Sequence, residues 1–464
     1  MKPKRHCLII TDIFPPVNLV GVYRTVGLCR HLAQQGWQVT VITARPQPGT
    51  NLDPALMERV PSQVRVVRAA SPNLLSLAAM LFHRKSHSAG APPQPGGEPS
   101  PVSRGGRRSG FRHLVQWLSF WLHVPDFYTG WFVPAVWAGL CVSRRQRPDV
   151  VFSTAPMWTS HLAGAAIAWL RRIPWVADFR DPWHGNSWRA VKTDGFPAHR
   201  RADALLERLV VRNASRITCA WDQIRQTLAA RYPEFAASVS TVYNGFDLDQ
   251  IDPVAPVRVD GSRCVLLHAG LLYGPRSPVP ILEGLRSLQS ETPAAAGRLL
   301  MVFIGPPTYE GRPLVDLARE YAVEELVRVI PPVPYRQALA FLKGADVAVL
   351  FGQTGEGAVA PVPAKTYEYI GAGKPVLAIG AGEEAIRVMQ QGGCRVWQAG
   401  LAADIPAILR MIAEEYDAGR LNGRPDDVAR SAFTRERAAQ RLEETLAQAM
   451  MCRPTHGRVL SAQA

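Results

Sequence analysis

No window of this sequence reads as a bilayer-crossing helix. The uncharged run 127–143 falls short of the roughly 20 residues a span needs, and Gly130 and Pro134 interrupt it. The opening M-K-P-K-R-H-C-L-I-I-T-D is basic, but its apolar run is only four residues long, so a first strand is expected rather than a signal peptide. The seven cysteines (7, 29, 141, 219, 264, 394, 452) form no C-x-x-C pair and are odd in number. Reduced thiols of a cytoplasmic protein fit them better than disulfides or zinc. The loop after the first strand has one useful glycine, Gly21, so the dinucleotide fingerprint is missing. There is no zinc-finger, helix-turn-helix or ribonucleoprotein aromatic signature, and nucleic acid is not an expected partner.

What is present points to an α/β protein. At 464 residues two or three domains are expected, and 47% apolar with 20% charged residues is a globular composition. In the first half, strand 6–11, helix 23–35 and strand 38–43 make a β-α-β unit, which argues for a parallel sheet. A strand leading into a loop over 148–156, helix 159–171 and strand 174–178 continue it, followed by helix 199–212, strand 216–220, a helix from about 222 and strand 239–242. Asn244-Gly245 has the turn chemistry of a domain hinge. Asp178, Arg180 and Asp181, in D-F-R-D-P-W, follow a strand end. An Arg between two carboxylates reads either as a site or as a structural knot. His161, at the start of its helix, could approach a cleft, although a lone histidine there more often packs.

The second half starts a fresh alternation. Strand 264–267 runs into H-A-G-L-L-Y-G-P-R-S-P, where Gly270 and Gly274 let the backbone come close to a ligand and Arg276 reaches toward a diphosphate. Strands at 299–304 and 346–351 follow, then the stretch 361–380, P-V-P-A-K-T-Y-E-Y-I-G-A-G-K-P-V-L-A-I-G. Pro361 and Pro363 hold the chain extended, a helix 364–372 begins directly after, and Gly373 ends it. Such a start points unpaired N–H groups and a positive dipole end outward, which suits a phosphate. Lys365 in the first turn conflicts with the dipole unless an anion is bound there. Glu368 could accept two hydroxyls of a ribose; an ordinary exposed Lys-Glu pair is the alternative. Helices near 402–417 and 428–450 close the chain.

Charge is split between the halves. Residues 1–250 carry 30 Lys and Arg against 15 Asp and Glu, whereas residues 251–464 carry 23 against 23. One basic half beside a neutral one suggests an anionic surface as partner. Residues 86–110, rich in Ser, Pro, Gly and Arg, read as a disordered basic insertion. If 111–124 is helical, Leu114, Trp117, Leu118, Trp121 and Leu122 oppose a thin polar stripe, giving either an interfacial anchor or a piece of core.

The pieces together resemble a GT-B fold glycosyltransferase, specifically family 4 of the retaining enzymes. The likeness rests on F-P-P…G (14–21), P-D-V-V-F-S-T-A-P (148–156), W-V-A-D-F-R-D-P-W (175–183), V-Y-N-G-F-D (242–247), H-A-G-L-L-Y-G-P-R-S (268–277) and K-T-Y-E-Y-I-G-A-G-K-P-V-L (365–377). It covers nearly the whole chain outside 70–110. It implies two Rossmann-like parallel-sheet domains facing a deep interdomain cleft, over 1–245 and 246–427, with a C-terminal helix and tail at 428–464 packing back on the first domain. It implies transfer of a hexosyl group, with retention, from a nucleoside-diphosphate sugar to a polysaccharide, glycolipid or other cell-surface acceptor. Arg276, Lys365, His161 and Asp181 would form the catalytic set, and Gly21, Arg24, Gly270, Gly274, Glu356, Thr366 and Glu368 would contact substrates. No cofactor and no metal are expected, and peripheral contact with the anionic inner face of the cytoplasmic membrane is. Two positions depart from the family pattern. Ala360 stands where relatives often carry a second glutamate, with Glu356 the nearest carboxylate, and Arg276 stands where many pair an Arg with a Lys. A catalytically silent nucleotide-sugar binder in an assembly complex is the alternative reading.

Overall fold

The structure is a computed structural model that describes residues 5–72, 124–184, 197–352, 361–421 and 426–452. The expected insertion at 86–110, nearly all of the aromatic segment 111–124, and Glu356 with Ala360 lie outside the described residues. Seven strands form the first sheet: β1 (His6–Thr11), β2 (Gln38–Ala44), β3 (Arg65–Ala69), β4 (Val150–Ala155), β5 (Trp175–Phe179), β6 (Arg216–Cys219) and β7 (Val239–Thr241). All pairings are parallel, in the order β3-β2-β1-β4-β5-β6-β7.

β1 and β4 are buried along their whole length because helices cover both faces of the sheet. Period-2 geometry sorts the side chains. Leu8 and Ile10 face a layer made of α2 (Phe132–Arg145), α3 (Thr159–Arg171) and α4 (Pro197–Asn213), while Cys7 and Ile9 face α1 (Val20–Gln34). α5 (Asp222–Arg231) lies between β6 and β7 in the chain.

The second sheet repeats the plan with β8 (Cys264–Ala269), β9 (Leu299–Ile304), β12 (Val327–Ile330), β13 (Val347–Phe351), β14 (Val376–Ile379) and β15 (Val396–Ala399), in the order β12-β9-β8-β13-β14-β15. A small antiparallel hairpin, β10 (Thr308–Tyr309) and β11 (Arg312–Pro313), stands apart from it. Its principal helices are α6 (Val279–Glu291), α7 (Leu314–Glu320), α8 (Tyr335–Gly344), α9 (Ala364–Ala372), α10 (Glu383–Gln391) and α11 (Ile405–Asp417). In each sheet the strand order reverses beside the first strand, between β1 and β4 and between β8 and β13. Ligand crevices open at such reversals, beyond the carboxyl ends of the strands.

The expected helix at 428–450 is broken in two. A short helix spans Asp427–Ser431, and α12 (Arg435–Met451) starts afresh after Thr434, whose hydroxyl accepts from Arg437 N at 3.1 Å. The break is set by a contact no local pattern contains: Phe246 N and O bond to Phe433 O and Arg435 N, which clamps the chain at the hinge. α12 then returns to the first domain and buries Leu442, Leu446 and Ala449 in the core shared with α1. Among the described residues no helix is long and apolar enough to cross a membrane.

Candidate functional site

Between the two sheets lies a cleft of about 1300 Å³. The first domain lines it with Gly21, Asp126, Trp158, Arg180 and Asp181, the second with Leu271, Tyr273, Val362, Ala364 and Glu368, and α12 with Arg435.

The floor of the first domain is an ion-pair network. Asp178, fully buried in β5, accepts from Arg24 Nη2 at 2.7 Å and Nε at 3.0 Å, from Thr218 at 2.6 Å and from Thr154 at 2.8 Å. Burial pushes this carboxyl up, but the Arg24 charge and the four hydrogen bonds outweigh it, so Asp178 titrates below the usual carboxylate range. Arg24 also donates to Val242 O (2.8 Å) and Asn244 Oδ1 (3.1 Å), tying α1 to the hinge. Arg24, expected as a substrate ligand, is thus engaged within the protein. Although it borders the cleft, its guanidinium is spent on the protein's own acceptors. Of the two readings of the D-F-R-D-P-W cluster, Asp178 is the knot and Asp181 faces the cleft.

Arg180 is held by Ala155 O (Nε at 3.0 Å) and Gly21 O, and a Cβ at Gly21 would sit 2.2 Å from its Nη1. Gly21 is thus the contact through which the β1–α1 loop closes over Arg180. Around it, burial pushes Asp12 up to about 7 and raises Asp181 too, with the Arg180 charge opposing in both cases. His161, expected in the catalytic set, is likewise engaged within the protein. It is fully buried inside the first domain, Nδ1 bonded to Ser153 Oγ at 2.8 Å and its ring 4.8 Å from that of Phe179, and burial drops it to about 3. A helix start in this sheet points toward the cleft, but the side chain of the third helical residue turns inward onto β4.

The second domain brings its expected residues together. Pro363 (φ −64°, ψ 148°) precedes α9 without a side-chain cap, so the amides of Ala364 and Lys365 have no intrahelical acceptor, while Thr366 N donates to Pro363 O at 3.0 Å. Gly373, at φ 62°, ends the helix, its N–H and that of Lys374 bonding to the Ile370 and Tyr369 carbonyls. Gly270 has φ +144°, and a Cβ there would lie 2.3 Å from Lys365 Nζ. Lys365 therefore lies against bare backbone at the end of β8. Burial pulls its ammonium down, Glu368 opposes, and Arg276 adds to the lowering. Among the described residues Lys365 has no ion pair within 4 Å. Arg276 lies 5.1 Å over the Tyr273 ring with Nε buried and unpartnered, and the Thr366 hydroxyl is likewise buried without a partner. Glu368 lines the cleft one turn on. Gly274 sits apart, in open space at φ +47°, with its carbonyl accepting from Tyr309 Oη at 2.7 Å. It shapes the turn that aims Arg276 and approaches nothing itself.

Sequence reading missed Tyr335, whose phenol is pushed up by burial and by the charge of Glu368, and Arg435, which is ion-paired to Asp247. Tyr335 opens α8 directly after the proline-marked loop 331–334, a signal the sequence carried, whereas Arg435 has no such local mark. Asp247 and Asp249 have Asp-x-Asp spacing, but Asp249 pairs with Arg30 at 3.2 Å, so each is held by a different arginine. Among the described residues no three His, Cys, Asp or Glu side chains cluster as a metal site.

The profile of the glycosyl transferase 4-like domain matches residues 21–245. The chain is 26% identical over 196 residues to a D-inositol 3-phosphate glycosyltransferase of Saccharomonospora viridis, covering 40% of this chain and 46% of that protein. It is 28% identical over 159 residues to that of Streptosporangium roseum, covering 32% and 37%. The match thus spans less than half the length of these curated relatives. In three dimensions it is similar to Anabaena HepE in complex with UDP (TM-score 0.59, 13% identity, 96% of this chain and 99% of that one). It is also similar to sucrose-phosphate synthase of Thermosynechococcus elongatus (TM-score 0.57, 15% identity, 96% and 99%).

Proposed function

We propose, for a chain whose residues 21–245 are a glycosyl transferase 4-like domain within a GT-B fold, that it moves a hexosyl group from a nucleoside-diphosphate sugar to a cell-surface glycan or lipid-linked acceptor, retaining the anomeric configuration. One observation carries this reading: Lys365, in the open first turn of α9, lies against Gly270 with the Arg276 charge acting on it and no carboxylate ion-paired to either among the described residues, while Glu368 stands one turn away. That is a cradle for a diphosphate next to an acceptor for a ribose diol.

The chemistry follows from the charges. When the sugar–phosphate bond breaks, negative charge collects on the departing diphosphate oxygens. Two cations and aligned amides, already desolvated and fixed, stabilise that charge more than they stabilise the ground state. In this reading they do the work a metal would do, and none is required. The acceptor approaches from the first domain, between the Gly21 loop and Asp181, with its hydroxyl on the same face as the departing phosphate. Retention of this kind demands no strong general base. The UDP and UDP-glucose complexes of the structurally similar HepE support a nucleotide-sugar donor.

The test is a thermal-shift screen of UDP-, GDP- and TDP-sugars, followed by transfer and hydrolysis assays on the donor that binds. Glu368→Ala is expected to weaken donor binding about tenfold or more, and Arg276→Ala to lower turnover about 10²–10³-fold. A donor that stabilises the protein and is never turned over makes the chain a silent binder; no stabilisation by any donor removes the reading altogether.

A further inference from the structure

Three neighbouring helices on the outer face of the first sheet carry apolar side chains in water. On α2, Val133 and Trp137 are 70% and 66% exposed, on α3 Trp169 is 65% and Leu170 49%, and on α4 Leu205 is 67% and Leu209 45%. Every other tryptophan among the described residues is buried. The pattern is helical and single-sided: Val133, Trp137, Leu140 and Arg144 share one stripe of α2, and Arg201, Leu205, Leu209 and Arg212 one stripe of α4. Arg147 joins two of the helices by donating to Arg171 O and Arg172 O at 3.2 and 3.0 Å.

The charges on this layer have one sign. α2 and α3 contain no Asp or Glu. α4 contains two, Asp203 and Glu207, and both are buried, Glu207 against Arg231 and His184. Arg144, Arg145, Arg171, Arg172, Arg201 and Arg208 edge the face and have no ion pair with a described residue. A second copy of this chain would bring arginines against arginines, which a twofold interface cannot relieve.

We propose that the α2–α3–α4 face docks on an anionic lipid bilayer, with Trp137 and Trp169 entering the headgroup layer and the arginines paired to lipid phosphates. Exposed tryptophan and leucine rimmed by arginine, without a carboxylate, is the pattern that combines apolar burial with electrostatic attraction at such a surface. Phe127, 63% exposed and six residues before Val133, stands on the cleft. Docking by this face therefore sets the acceptor side of the cleft near the lipid. The proposal does not depend on the donor reading, and its test contains no nucleotide.

Full-length protein is sedimented with vesicles of phosphatidylcholine alone and with phosphatidylglycerol added. Binding to the mixed vesicles that weakens with salt is expected, and Trp137→Glu/Trp169→Glu should lower it by about tenfold or more at an unchanged melting midpoint. Arg144→Gln/Arg145→Gln should weaken binding to the mixed vesicles and restore part of the salt insensitivity. The conservative Trp137→Phe/Trp169→Phe variant guards against misfolding: brominated acyl chains should quench tryptophan in the parent and less in this variant. A parent indifferent to phosphatidylglycerol, equal binding by the Glu variant, or undiminished quenching in the Phe variant overturns the proposal. So does a concentration-dependent dimer that the Glu variant abolishes.

Discussion

At Gly270 a methyl group would collide with Lys365 Nζ, and the backbone there sits at a φ that L side chains rarely adopt. Gly270→Ala is therefore expected to displace the ammonium and to lower turnover about 10²-fold, while strain costs on the order of 1–3 kcal/mol of stability. Turnover equal to the parent would remove Lys365 from the donor cradle. Asp12 offers a pH test. Its folded pKa of about 7 lies above the ordinary carboxylate value of 3.8, so between these the folded chain holds a proton that the unfolded chain has released. Stability from this group is full below about pH 4, falls as pH rises through 7, and is level above. Asp12→Asn should raise the melting midpoint at pH 8 relative to pH 5, by an amount worth on the order of 3 kcal/mol. His161 and His268 tilt the curve the other way. Burial holds both near 3, so the folded chain keeps them neutral and stability drops as pH falls below about 6.5.

Among the elements, α5 and α10 are joined across the cleft by one side chain. Glu384 accepts from the backbone N–H groups of Asp222 and Gln223 at the start of α5, and from Tyr243 Oη at 2.9 Å. A carboxylate from the second domain thus caps a helix of the first, satisfying orphan donors and the positive dipole end together. Glu384→Ala should loosen the two domains: amide exchange in 222–225 is expected to quicken and the loss in stability to be about 1–3 kcal/mol. Exchange unchanged in that helix would show that the contact does not hold the cleft closed. α9 was legible beforehand because its signals are local: prolines before it, a glycine after it and a lysine misplaced for the dipole. α12 was legible only as part of a longer helix, since its true start depends on Phe246, far away in the chain.

At the scale of the whole molecule, the chain closes on itself. It leaves the first domain near Val242, builds the second, and returns as α12 to complete the core over β1 and α1. Leu446 is fully buried there. Leu446→Ala is expected to cost about 2–5 kcal/mol and to lower the melting of the first domain, although the residue is chemically part of the last helix. Melting of the second domain alone would contradict that account. Part of the charge excess also takes shape only at this scale, because Arg144, Arg145, Arg171, Arg172, Arg201 and Arg208 gather on one layer of helices.

Alternating apolar segments, glycines past strand ends and prolines before a helix were enough to give two parallel-sheet domains and to single out the loops around Gly270 and Lys365, where a donor is proposed to bind. Those features depend on neighbours within about ten residues, where backbone geometry and hydrophobic period act directly. Tertiary structure alone decided what the charged side chains do. Arg24 meets Asp178 across 154 residues of sequence, and His161 meets Ser153 rather than the cleft. The exposed stripes of three helices become one face only when the sheet sets them side by side. A buried charge must find its partner wherever the fold puts one. Residue type and spacing announce that a partner is required, but the packed chain selects it.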